Sequence, residues 1–130
     1  MKPKPRIIVV DRSVLASNLY GLLFAPLEAS VLARCCFEDV LPIFLRREKI
    51  DLAIINSNVF GKKFEQILSA FKANSSIKTV KKIFLCREAD SESAWRDVLS
   101  SLSNSYVILR PFHPDEFSIM VKDILLETNS

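Results

Sequence analysis

Glycine is nearly missing from this chain: Gly21 and Gly61 are the only two in 130 residues. A phosphate loop or a dinucleotide fingerprint needs several glycines in one turn, so that the backbone can close around an anion. Both are excluded. Histidine is scarcer still. The single His113 has no cysteine or second histidine at ligand spacing, which argues against a metal centre of imidazoles and thiolates. No G-x-S-x-G is present, so the nucleophile elbow of the α/β hydrolases is missing. Three cysteines, Cys35, Cys36 and Cys86, match no zinc spacing and form an odd count. They read as reduced, mostly buried thiols of a cytoplasmic protein. The opening MKPKPRIIVVDRS has too short an apolar stretch for a signal peptide. No apolar run approaches the about 20 residues of a membrane span. Charge of one sign is not concentrated either. The net charge is +3, but lysines and acidic residues alternate along the chain, which argues against a nucleic-acid surface.

What is present is ordinary globular material, 49% hydrophobic and 25% charged. The length suits a single domain over 1–130, with a core over about 6–126. Four short apolar runs stand out: Ile7–Val10, Leu52–Ile55, Ile83–Cys86 and Tyr106–Leu109. Each is continuous instead of alternating, as strands buried on both faces are. A weaker fifth run covers Ser30–Ala33.

Helical patterns fill the gaps. Ser13 suits an N-cap, with Val14, Leu15, Leu19, Leu22 and Leu23 as the apolar side and Pro26 as the stop. A second helix over Phe37–Lys49 carries Val40, Leu41, Phe44 and Leu45, and Pro42 must lie in its first turn or kink it. Phe64, Ile67, Leu68 and Phe71 mark a third helix. Ser91–Leu102 reads as a fourth, with Ala94, Trp95, Val98, Leu99 and Leu102. The fifth starts at Pro114, has Asp115 and Glu116 where the helix dipole favours anions, and packs through Phe117, Met120, Val121, Ile124 and Leu125. His113 would cap it. Strand and helix alternate five times, which predicts an α/β fold: a doubly wound parallel sheet flanked by five helices.

In such sheets, functional residues gather at the carboxyl ends of the strands. Those ends read Asp11-Arg12, Asn56-Ser57-Asn58, Cys86-Arg87 and Arg110-Pro111-Phe112. At these stations the chain resembles the receiver domains of two-component response regulators, from Arg6 to about Leu126. The resemblance implies a flavodoxin-like strand order of 2-1-3-4-5. It places the phosphoacceptor position on Asn56 and the acidic, magnesium-holding pocket on Asp11, Arg12 and the carbonyl of Asn58. Its switch positions fall on Cys86, Val107 and Arg110, and Gly61 and Pro111-Phe112 keep to the pattern. The face made by the fourth helix, fifth strand and fifth helix, with Trp95, His113 and Glu116, is where receivers meet partners or form homodimers.

The residues at these stations depart from the chemistry. An acyl phosphate needs a carboxylate nucleophile, and the Asn56 amide supplies none. A hard divalent cation wants clustered carboxylate oxygens, and Asp11 stands alone beside Arg12. Magnesium binding is therefore expected to be weak or absent, and no other cofactor is implied. Arg12 is expected to stand in for the ion, in a cluster of Asp11, Arg12, Asn56 and Arg110. The leading expectation is a cytoplasmic pseudo-receiver that binds signalling proteins, without catalysis or phosphotransfer. Two other readings stay open: a working phosphoacceptor that uses Asp51 or Asp90, and an α/β domain that binds a small ligand or nucleic acid.

Overall fold

A computed structural model describes residues 4–46, 48–60, 63–87, 96–110 and 112–127. Five strands form one parallel sheet: β1 (Arg6–Val10), β2 (Ser30–Arg34), β3 (Leu52–Asn56), β4 (Lys82–Arg87) and β5 (Ser105–Arg110). Their order is β2-β1-β3-β4-β5, as expected. The apolar runs mark the strands to within a residue or two at each end. Every residue of β3 is buried, as are all but one of β1 and of β4. These strands lie inside the sheet, with helices on both faces, and so read as unbroken apolar runs. β2 is an edge strand with both ends exposed, which explains its weaker signal.

The helices are α1 (Val14–Leu23), α2 (Leu41–Leu45), α3 (Phe64–Ala73), α4 (Ser75–Lys78), α5 (helical over 96–100) and α6 (Pro114–Glu127). The single turn of α4 adds to the five helices read from the sequence. Asn74, in extended conformation, separates it from α3. Side chains alternate across each strand and so feed two cores. Ile8, Val10, Ala53, Ile55, Phe84 and Cys86 pack with Phe44, Phe64, Phe71 and Leu99 on one face. Ile7, Val9, Leu52, Ile54, Ile83 and Leu85 pack with Tyr20, Phe24, Phe117 and Val121 on the other.

Two helices differ from the sequence reading. Pro42 does lie in the first turn of α2, but the helix ends at Leu45 and Phe37–Asp39 forms a separate 3-10 turn. Val40 and Phe44 are buried as expected, but Leu45 is exposed and Ile43 is buried instead. The change at α1 is larger. Val14, Leu15, Leu19 and Leu22 are exposed, and the helix packs through Tyr20 and Phe24, with Ala16 and Leu23 half-buried. Residues four apart share a helix face, so burying Tyr20 brings Phe24 in and turns the leucines outward. The thiols also divide: Cys86 is buried, Cys36 half-buried and Cys35 exposed.

A lysine lies inside the fold at the amino-terminal end of β4. Lys82 is 1% exposed. Its Nζ donates to the carbonyls of Val80 at 2.7 Å, Ser103 at 2.9 Å and Lys78 at 3.3 Å, and lies 5.8 Å from the centre of the Phe71 ring. Burial pushes this amine down from 10.5 to about 8. A base whose folded pKa falls below its unfolded value carries its full penalty at pH values below the folded pKa. The penalty is relieved as pH rises toward the unfolded value. Between pH 8 and 10 the wild type is therefore expected to gain about 1–2 kcal/mol of stability relative to Lys82→Met. Urea unfolding across that range checks it, and parallel pH profiles for the two proteins would contradict it.

Candidate functional site

β1 and β3 are neighbours, with Val10 opposite Ile55. This register sets Asp11, one residue beyond β1, beside Asn56, the last residue of β3. The Asp11 backbone N–H is held by the Arg34 carbonyl at 3.0 Å, which ties the position to β2 as well. Asp11 is 1% exposed and Asn56 4%. A carboxylate so buried must be matched by donors.

Four donors meet it. Oδ1 accepts from the backbone N–H of Ser13 at 2.9 Å and from Asn58 Nδ2 at 3.1 Å. Oδ2 accepts from Asn56 Nδ2 at 2.9 Å and from the Tyr20 hydroxyl at 3.3 Å. The amide oxygens are engaged too. Asn56 Oδ1 accepts from the Asn58 N–H at 3.0 Å, which caps the 3-10 turn Ser57–Val59. Asn58 Oδ1 accepts from the Arg12 N–H at 3.1 Å. Ser13, freed by its own N–H bond to Asp11, caps α1 through its Oγ to the Ala16 N–H at 3.2 Å. The Tyr20 hydroxyl is pushed well above its ordinary range, first by burial and then by the Asp11 charge, so it stays a donor.

The expected placement of Arg12 is not the one found. The Arg12 side chain is exposed, and its contact with the cluster runs through its backbone N–H. The short Asn56 and Asn58 amides reach the carboxylate without moving a charge into the interior. Arg110 makes its hydrogen bond elsewhere. It ends β5, its Nη2 donates to Ser57 Oγ at 3.4 Å, and its Nε is buried with no hydrogen-bond partner among the described residues. Cys86 is buried in the core, and Val107 is half-buried against the same core. His113 is exposed, and its Nδ1 accepts from the Asp115 N–H at 3.2 Å, so it caps α6 as expected. Glu116 is exposed in the first turn of α6. Asp51 lies at the opposite end of β3, where its Oδ2 accepts from the Arg6 N–H at 2.7 Å. Trp95, Asp90, Gly61 and Pro111 fall outside the described residues.

Tyr20 is the member of the cluster that the sequence reading missed. The available signal was a lone hydroxyl-bearing aromatic among leucines, four residues before Phe24.

Neither a family model nor a curated protein matches the sequence. Solved structures do match it. The signal receiver domain of an HD domain-containing protein from Pseudomonas fluorescens superposes with a TM-score of 0.79 at 15% identity, covering 99% of this chain and 92% of that one. A response regulator from Thermotoga maritima gives 0.70 at 22% identity, covering 95% and 98%. This chain has the receiver fold. A chemotaxis response regulator of Vibrio cholerae agrees, with 0.73 at 13% identity over 94% and 99% of the two chains. In this receiver fold, the carboxyl-end cluster falls at the stations read from the sequence.

Among the described residues, no group of three carboxylate, imidazole or thiolate side chains comes together at the site. Asp11 is its single carboxylate, and both of its oxygens already face protein donors. A divalent cation prefers several anionic or carbonyl oxygens turned toward one point. The donor set does not fit magnesium.

Removing the carboxylate would strand two amides and a hydroxyl. Asp11→Ala is expected to cost about 2–4 kcal/mol, and Tyr20→Phe, which deletes one long hydrogen bond, about 1 kcal/mol. Urea denaturation of both variants measures this. An Asp11→Ala variant as stable as the wild type would show that the cluster is not a structural centre.

Proposed function

We propose that this receiver-fold domain is a pseudo-receiver: a cytoplasmic, non-enzymatic module that binds signalling proteins independently of phosphorylation and magnesium. One observation carries the reading. The Asp11 carboxylate, which would help to hold a metal in a working receiver, is fully engaged by Asn56, Asn58, Tyr20 and the Ser13 N–H.

The chemistry follows from the side chains. Phosphoryl transfer to the third strand would require a carboxylate oxygen as nucleophile. The Asn56 amide nitrogen is conjugated with its carbonyl and already donates to Asp11, so it attacks nothing. Asp51, the other acidic candidate within the described residues, braces the far end of the sheet. Arg110 Nη2 donates to Ser57 Oγ, in the turn after β3. With no phosphoryl group to reposition these contacts, a change of state has to come from differential binding of a partner. The surface of α5, β5 and α6 remains the expected meeting place for signalling partners, with His113 and Glu116 exposed on it. No helix among the described residues is long and apolar enough to cross a membrane.

Incubation with a small phosphodonor and magnesium, read by intact mass, is expected to give no phosphoryl adduct on the wild type. A stoichiometric adduct would overturn the reading. Asn56→Asp replaces the amide donor, 2.9 Å from Asp11, with a second carboxylate. It is expected to lower the melting temperature at neutral pH through like-charge repulsion. Millimolar magnesium should restore that loss while leaving the wild-type melting temperature unchanged.

A further inference from the structure

The largest departure from the expected packing is the outer face of α1. Residues 14–27 carry no charged side chain, and yet half of α1 faces outward. Val14 is 66% exposed, Leu15 76%, Leu19 65% and Leu22 74%. A helix that is apolar all round is normally buried all round. α6 lies beside it, and its outward edge mixes Ile119 and Leu126 with Asp115 and Lys122. Ser118 Oγ bonds to the Leu23 carbonyl at 3.3 Å, which holds the two helices side by side, and Ile119 and Leu126 are 61% and 57% exposed. A groove of about 450 Å³ runs between Leu19, Leu22 and Leu23 of α1 and Phe112 and Pro114, just ahead of and at the start of α6. Monomeric proteins rarely leave so continuous an apolar patch in water.

We propose that a second copy of this chain covers this face, in a two-fold symmetric dimer built on α1 and the adjoining edge of α6. The inference goes beyond the interaction-module reading and does not depend on the state of the Asp11 site. Three features favour a like partner. First, a two-fold interface presents each surface to itself. A charge-free helix meets its own copy with no like-charge repulsion, whereas a charged helix face would not. Second, Asn18 lies exposed on this same side, between Leu15 and Leu22. A carboxamide is both donor and acceptor, so it pairs with an identical carboxamide across a two-fold axis. Third, the size is right. The six exposed apolar side chains present on the order of 700 Å², close to the about 800 Å² that each partner buries in a standard interface.

Gly21 fits the same account. It is exposed in the middle of α1, and a Cβ there would meet nothing within 4 Å. Glycine weakens a helix interior, and no packing within this chain requires its bareness. A neighbouring helix approaching the backbone would. The arrangement differs from the homodimer expected through α5, β5 and α6, where Tyr106, Glu127 and Lys81 form a polar network.

Sedimentation equilibrium over micromolar to hundreds of micromolar concentration tests this. The wild type is expected to be a dimer at the upper end of the range. Leu15→Glu/Leu22→Glu should be at least tenfold weaker in dimerisation, with unchanged circular dichroism, since neither side chain is in the core. Asn18→Cys should form a disulfide-linked dimer under mild oxidation that the wild type, despite its exposed Cys35, does not. A wild type that stays monomeric throughout would overturn the proposal and leave the face to a different protein. So would a dimer that survives Leu15→Glu/Leu22→Glu but is lost on changing Glu116 and Glu127. The phosphodonor experiment is independent of all these outcomes, so failure of either proposal is distinguishable from failure of the other.

Discussion

A single buried carboxylate organises the functional end of this molecule. Asp11 is 1% exposed, and a charge in that position is tolerable only if every lone pair is met. The protein meets it with neutral donors. Two of them, Asn56 and Asn58, come from the turn after β3, which fixes that turn against β1. A third, the Ser13 N–H, starts α1. The fourth, the Tyr20 hydroxyl, comes from the buried side of α1. Once Tyr20 points to Asp11, Phe24 enters the core one turn later and packs against Phe117 of α6. The leucines then have nowhere to go but outward.

The same requirement bears on function. In a switchable site, a carboxylate pocket is left partly unmet so that a cation and a phosphoryl group can complete it. Here the completion is internal. Neutral amides add no charge that would have to be titrated or neutralised, and they hold the loops after β1 and β3 in one arrangement. On the proposed reading, regulation of the domain lies in what binds to it and in how many copies assemble, which shifts the interest from the strand ends to the helices around them.

The fold was legible in the sequence because its strongest signal is physical. β1, β3 and β4 are buried on both faces, and no polar residue interrupts their apolar runs; β2, at the edge, was correspondingly faint. The start of α6 was also plain, since Pro114, Asp115 and Glu116 act locally. The strand ends could be read, and Asp11, Asn56 and Asn58 do meet there. Their pairing could not be read. It depends on the register between β1 and β3 and on a helix nine residues downstream, and Tyr20 gives no local sign that its hydroxyl is spoken for. The α1 stripe misled for a related reason. Leu15, Leu19 and Leu22 are spaced like a core face, and only the long-range bond of Tyr20 to Asp11 reveals that the opposite side is buried. Arg12 misled because sequence adjacency to Asp11 says nothing of side-chain direction: its backbone serves the cluster and its guanidinium does not.

The account rests on Asp11 being satisfied from within. The most direct measurement is a magnesium titration followed by nuclear magnetic resonance, observing the side-chain amide groups of Asn56 and Asn58 and the hydroxyl-bearing ring of Tyr20. If these groups hold the carboxylate, their resonances are expected to stay in place up to tens of millimolar magnesium, and the two asparagine amides should exchange slowly with water. Saturable shifts of both amides at low millimolar magnesium would contradict this, for they would mean that the cation displaces the protein's own donors and that the pocket is still a metal site.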